Sequence, residues 1–239
     1  MSLKKHIPNS ITSLNLAAGA VGVVLCLKGR PDLAFYLMMA AMVFDFSDGL
    51  AARLLGAYSP MGKELDSLAD MVSFGLLPSL MLVETMQQHG CTGWVSFLPL
   101  FLAVMSGLRL AKFNVDERQS TDFIGLATPS SAMIAGSLAY FIFVHPGTFL
   151  SSWAPEWFFL PVVALVLGLL LVSEIPMFGM KVAKGHKLLD SKRIVFLVAA
   201  VAVVALVAVF RLNWSLAVLG IFLTYLVENL ILAALPSRQ

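Results

Sequence analysis

Four aspartates, Asp45, Asp48, Asp66 and Asp70, are the residues of this chain best placed to do chemistry, because they stand in apolar sequence of the kind that lies in a membrane. Carboxylates at bilayer depth are costly, and as a rule they face a cavity where ions bind or a reaction occurs. Asp45 and Asp48 are three positions apart and Asp66 and Asp70 four, so each pair falls on one helical face. Two such faces brought together make an all-oxygen cage for hard divalent cations. The plainer alternative is that Arg53 and Lys63 pair with the aspartates and merely hold helices together. Those two cations neutralise at most two of the four charges, whereas a pair of divalent ions neutralises all four. A two-metal site suits displacement at phosphorus, since the ions clamp the entering and leaving oxygens. Gly49 directly after Asp48, and Gly62 one turn before Asp66, remove side chains where helices or a ligand must approach closely. Ser59 and Pro60 place a hydroxyl and a turn in the short link between the two Asp-bearing segments.

The elements that must position these groups are membrane helices. Hydrophobic residues make up 59% of the chain and charged residues 13%, with a mean hydropathy of +0.88, against about 25% charged in a soluble domain. A spanning helix needs about 20 mostly apolar residues, and eight candidate segments are present: 10–27, 32–55, 66–87, 94–112, 126–144, 157–175, 194–210 and 213–235. The expectation is one membrane-embedded catalytic unit over 1–239, an all-α bundle of about eight transmembrane helices. Its Asp-bearing helices would be 32–55 and 66–87, and its C-terminal helices would lie within about 157–235. The first apolar segment shows no cleavage pattern and reads as a retained span.

The lysines and arginines set the orientation. With eight spans, one side carries Lys4, Lys5, Arg53, Lys63, Arg109, Lys112, Arg118, Lys181, Lys184, Lys187, Lys192, Arg193 and Arg238, and the other only Lys28, Arg30 and Arg211. Both termini and the aspartates are therefore expected at the cytoplasmic side. No basic stripe with interleaved aromatics points to a nucleic-acid partner. The four histidines lack metal-ligand spacing, and Cys26 and Cys91 both fall near the outer face, where a disulfide is allowed.

The pattern Asp45-x2-Asp48-Gly49-x2-Ala52-Arg53-x8-Gly62-x3-Asp66-x3-Asp70 resembles the signature of the CDP-alcohol phosphatidyltransferases, with every signature position filled. Pro8-Asn9-x2-Thr12 is similar to that family's opening element. The resemblance implies an enzyme that displaces CMP from a CDP-linked lipid with an alcohol hydroxyl. It implies two divalent cations, Mg²⁺ or Mn²⁺, held by Asp45, Asp48 and Asp66, with Asp70 on one of them and accepting the proton of the attacking alcohol. Asn9, Thr12, Gly49, Arg53 and Ser59 would contact CDP-diacylglycerol. A homodimer in a bacterial or archaeal cell membrane is expected by the same likeness.

Two further segments resemble the phosphatidylserine synthase branch of the family: Arg109-Leu-Ala-Lys112-Phe-Asn114, and Asp122-Phe-Ile-Gly125-Leu-Ala-Thr128-Pro129, with Lys112 where Arg is usual and Ala127 where Pro is usual. The acceptor implied is L-serine. A zwitterionic amino acid asks for a cation against its carboxylate, and Arg109 with Asn114 is the candidate serine pocket. Positive-inside anchoring is the other account of Arg109. Glycerol 3-phosphate or inositol phosphate as acceptor is the alternative within the family. A divalent-cation transporter is the alternative outside it, though such a path gives Gly49, Ala52 and Arg53 no purpose.

Overall fold

The computed structural model describes residues 6–116, 123–178 and 191–235, so Lys4, Lys5, Arg118, Asp122, Lys181, Lys184, Lys187 and Arg238 of the sequence reading lie outside the described residues. The chain runs as α1 (His6–Leu27), α2 (Pro31–Leu55), α3 (Pro60–Asp70), a π-helical turn (Met71–Leu76), α4 (Leu77–Gln88), a 3₁₀ stretch (Trp94–Leu100), α5 (Phe101–Val115), β1 (Phe123–Ile124), α6 (Thr128–Val144), α7 (Phe149–Trp153), α8 (Phe159–Val172), β2 (Pro176–Met177), α9 (Ser191–Val209) and α10 (Trp214–Ala234). All eight expected apolar segments are helical. The protein is an all-α multi-pass bundle in which six helical stretches are long and apolar enough to cross a membrane.

The two remaining segments are shorter. α6 has 17 residues and α8 has 14, about 26 and 21 Å at 1.5 Å per residue, against a hydrocarbon core of about 30 Å. They are short because the chain entering α6 and the chain leaving α8 have their backbone satisfied inside the protein, the condition for irregular chain at membrane depth. β1 and β2 form a two-residue antiparallel pair, Phe123 opposite Met177 and Ile124 opposite Pro176. Gly125 N donates to Ile175 O at 2.9 Å and Leu126 N to Leu170 O at 2.9 Å. Gly125 has φ +79°, and a Cβ there would lie 2.6 Å from Leu171 O and 2.9 Å from Ser173 O, so only glycine fits.

Local chemistry sets the ends of the elements around the aspartates. α2 stops at Gly56, which takes the left-handed conformation (φ 58°) and turns its N–H back to Ala52 O and Arg53 O. Three residues later Ser59 caps α3, its Oγ accepting from Gly62 N at 3.0 Å. α6 runs through the core, buried along most of its length and packed against α2, α4, α8 and α10. At the end of the bundle remote from the aspartates, Phe35, Tyr36, Tyr140 and Trp214 cluster with ring centroids 5.2–5.7 Å apart, and the Tyr36 and Tyr140 hydroxyls share a 3.0 Å hydrogen bond. That cluster pins α2, α6 and α10 together. Cys26 and Cys91 are free thiols.

Candidate active site

One end of the bundle gathers the start of α1, the end of α2, the start of α3, the end of α5 and the start of α6, because consecutive helices run antiparallel. The last turns of α2 and the first turns of α3 thereby face the first turns of α1. Asp45, Asp48 and Asp66 each offer a carboxylate oxygen, and these three oxygens lie within 4.8 Å of one another. Divalent cations hold oxygens at about 2.0–2.6 Å, so donors on opposite sides of one ion stand about twice that apart, and the cluster fits. Asp48 is 6% exposed, and its Oδ2 is buried with no hydrogen-bond partner among the described residues. A carboxylate oxygen buried beside two other carboxylates without compensation is unfavourable. The donor set therefore suits a hard metal ion.

Beside this cluster lies a cavity of about 520 Å³, walled by Asn9 and Thr12 of α1, Asp48, Gly49 and Ala52 of α2, Tyr58 and Ser59 of the link, and Gly62, Lys63 and Asp66 of α3. The Thr12 hydroxyl donates to Pro8 O at 3.0 Å and is within reach of the Asp48 carboxylate. A Cβ on Gly49 would meet nothing within 4 Å, so this glycine opens space to the cavity rather than to a neighbouring helix. Gly62 differs: a Cβ there would stand 2.9 Å from Asn9 Oδ1 and 3.0 Å from Ser59 Oγ. Its lack of a side chain is what lets the Asn9 amide reach the capped start of α3.

Asp70 lies next to the three-carboxylate cluster but is not part of it. It is 8% exposed, accepts from Asn15 Nδ2 through Oδ1 at 3.3 Å, and sits in the electrostatic field of Asp45, Asp66 and Arg109. The π turn begins directly after it, at Met71, and such single turns frequently mark functional sites. Arg109 is 7% exposed, donates from Nη1 to Thr128 Oγ1 at 3.2 Å, and stacks its guanidinium 5.0 Å from the Phe113 ring centroid. A buried guanidinium near buried carboxylates is not a headgroup anchor; its charge is directed inward.

The sequence-expected residues thus separate into groups. Asn9, Thr12, Asp48, Gly49, Ser59 and Asp66 share the cavity wall, Asp45 joins through the carboxylate cluster, and Asp70 with Arg109 forms an adjacent buried layer. Arg53, in the last turn of α2, is exposed and is not among the cavity-lining residues. Asn114 acts as a tie between α5 and α3: its Nδ2 donates to Ser67 Oγ at 2.9 Å, and its backbone O accepts from Lys63 Nζ at 2.9 Å. Lys112 is ion-paired with Glu174. Asn229 accepts from Phe178 N at 2.8 Å, which anchors the chain after β2 to α10.

From sequence, Asn15 and Tyr58 carry no assigned role, Lys63 enters only as an ion-pair partner for the aspartates, and Thr128 only within the segment Asp122–Pro129. For Asn15 a signal existed. It lies three residues after Thr12 in an apolar span, on the α1 stripe of Pro8, Thr12, Asn15 and Gly19 that is buried in the fold.

Residues 5–172 match the family model described as CDP-alcohol phosphatidyltransferase. The chain is 37% identical over 179 residues to a protein of Mycobacterium leprae named CDP-diacylglycerol–serine O-phosphatidyltransferase, covering 72% of this chain and 57% of that one. A Mycobacterium tuberculosis protein of the same name is 36% identical, covering 72% and 60%. A Bacillus subtilis protein, also of that name, is 35% identical over 135 residues, covering 56% of this chain and 76% of that one. The chain thus spans somewhat under two thirds of the length of the two mycobacterial relatives. The matched segment contains every residue of the carboxylate cluster, the cavity wall and the buried Asp70–Arg109 layer, and the chain belongs to the CDP-alcohol phosphatidyltransferase family.

Proposed function

We propose that this chain transfers the phosphatidyl group of CDP-diacylglycerol to the hydroxyl of L-serine, giving phosphatidylserine and CMP. The observation that carries the reading is the meeting of two surfaces. A carboxylate cluster opens on a cavity edged by Asn9, Thr12, Gly49 and Ser59, and a buried Arg109 lies behind it near Asp70. The names of the relatives support serine as acceptor.

Asp45, Asp48 and Asp66, with Asp70 adjacent, would hold two divalent cations, Mg²⁺ or Mn²⁺, which when bound supply charge neutralisation at the diphosphate and acidify the attacking hydroxyl. Gly49 leaves room for the cytidine diphosphate to lie against α2, and Asn9, Thr12 and Ser59 offer hydrogen-bonding groups around it. Arg53, at the cytoplasmic end of α2, offers a planar fork to diphosphate oxygens. Asp70 Oδ1 is engaged by Asn15, which leaves Oδ2 to take the proton from the serine hydroxyl. As that oxygen bonds to phosphorus, the bond from phosphorus to the CMP oxygen breaks and CMP leaves. Arg109 pairs with the serine carboxylate, and Asn114, one turn later on α5, helps hold Lys63 at the cavity.

The orientation that fits this reading puts the site and both termini in the cytoplasm. Among the described residues Arg53, Lys63, Arg109, Lys112, Lys192 and Arg193 belong to the site end of the bundle and Lys28, Arg30 and Arg211 to the other. The test is CMP release by the purified chain in nanodiscs with CDP-diacylglycerol and Mg²⁺ or Mn²⁺. Serine, glycerol 3-phosphate and inositol phosphate are offered separately, with Asp70→Asn as control. Serine-dependent release that disappears in Asp70→Asn is expected. Release with a phosphorylated acceptor instead would overturn the serine assignment while keeping the phosphatidyl transfer.

A further inference from the structure

Asn15 is wholly buried in the middle of an apolar helix, and its hydrogen bonds are incomplete in one specific way. The amide turns its NH₂ toward Asp70, where Nδ2 donates to Oδ1 at 3.3 Å. Ser73 Oγ holds the same residue from the backbone side, donating to Asn15 O at 3.1 Å. A Cβ at Gly19, one turn on, would stand 2.9 Å from Ser73 Cα, so α1 and the π turn are pressed together and Asn15 has little freedom to move. With the amide turned this way, Asn15 Oδ1 is left buried with no hydrogen-bond partner among the described residues. Buried acceptors are nearly always paired, and leaving one unpaired costs about 1–3 kcal/mol. Something outside the described chain therefore completes it.

The surroundings select what that is. A donor that carries a positive charge bonds a buried amide oxygen more strongly than a neutral one does. Asn15 Oδ1 is also one amide group away from the carboxylate that takes the proton of the attacking alcohol. An acceptor that carries an ammonium on the carbon next to its hydroxyl-bearing carbon presents two donors with the matching offset: hydroxyl to Asp70, ammonium to Asn15. We propose that Asn15 Oδ1 is the subsite for the ammonium of a vicinal amino-alcohol acceptor, and so selects amino-alcohols over acceptors that lack the amine. The inference rests on the serine reading above and assigns it a second recognition contact, separate from the carboxylate contact of Arg109.

The two contacts are distinguishable by dissecting serine. Ethanolamine keeps the ammonium and hydroxyl but lacks the carboxylate; 3-hydroxypropanoate keeps the carboxylate and hydroxyl but lacks the ammonium. Both are measured as competitors of serine-dependent CMP release, which requires no turnover of the analogue. The measurement uses the full chain in nanodiscs as wild type, Asn15→Leu and Asn15→Ala, the last adding no bulk against Ser73 should the leucine not fold. The expected result is that KM for serine and Ki for ethanolamine rise together by about tenfold, the loss of one hydrogen bond to a charged group, while Ki for 3-hydroxypropanoate stays put. Equal shifts for both analogues, or a fall in kcat alone, would overturn the proposal and leave Asn15 as a positioning residue for Asp70. Failure of ethanolamine to compete in the wild type would overturn it too. CMP release by the wild type only with a phosphorylated acceptor would bring down the serine reading itself, and this subsite with it.

Discussion

At the residue scale, the two signature glycines make opposite demands although both are simply glycine in the sequence. Gly49 faces open space and Gly62 faces the Asn9 side chain. Gly49→Ala should therefore leave thermal stability within about 0.5 kcal/mol, as for a substitution that meets no neighbour, while raising KM for CDP-diacylglycerol several-fold. Gly62→Ala should lower Tm, because Asn9 or the Ser59 cap must give way. Equal stability losses in the two variants, measured by thermal unfolding in detergent, would refute this division. Arg109→Gln should raise KM for serine at least tenfold with little change in KM for the lipid. A change in the lipid KM alone would move Arg109 out of the acceptor site. The aspartates were legible because type and spacing alone identify them: no other arrangement in the chain stacks carboxylates on two helical faces within apolar sequence. Asn15 was not, because its meaning depends on Asp70, 55 positions away, and in a one-dimensional reading it is one more polar residue in an opening run of Asn9, Ser10, Thr12 and Ser13.

At the element scale, hydropathy places all eight helical segments to within a few residues, since a helix that faces lipid must be apolar for a set length. It does not reveal the features that come from packing. The π turn at Met71–Leu76 sits where α1 presses on the chain after Asp70, and Gly75 packs against Ser106 of α5. Nothing local in Met-Val-Ser-Phe-Gly-Leu distinguishes it from an ordinary turn of helix. Equally, the family-like segment at residues 123–129 pairs with the chain after α8 in one structural device, the β1–β2 pair that lets α6 begin and α8 end inside the protein. The device makes two opposed predictions. Ala127, the residue where proline is usual, has φ −68° and ψ 138°, a backbone that proline adopts without strain. The ties to α8 and to the chain just after it are made by the N–H groups of Leu126 and Gly125, before Ala127. Ala127→Pro should stabilise by about 0.4–1 kcal/mol through the unfolded chain. Gly125→Ala should destabilise by more than that, because its φ is positive and its Cβ would overlap carbonyl oxygens of α8. Thermal unfolding of both variants decides the matter; a destabilised Ala127→Pro would mean the loop is not held as described.

At the scale of the whole molecule, the site and the charges are arranged along one axis. The carboxylate cluster and its cavity lie at the end where α1 begins and α2 finishes, and that end carries most of the described cations, while the aromatic cluster of Phe35, Tyr36, Tyr140 and Trp214 marks the other. For the proposed reaction the consequence is a division of access: a lipid substrate would reach the cavity from the bilayer, and serine and CMP would exchange with whichever aqueous compartment the site end faces. The proposed orientation makes that compartment the cytoplasm, and orientation is therefore the property on which the supply of substrate depends. Single cysteines test it in a Cys26→Ser, Cys91→Ser background. Val115, at the end of α5, is 81% exposed at the site end, and Ser152, in α7, is exposed at the other. In intact cells a membrane-impermeant maleimide should label Ser152→Cys and spare Val115→Cys until the membrane is opened. The reverse pattern would place the aspartates outside, away from cytoplasmic serine and CMP, and the proposed reaction would then lack its soluble substrate.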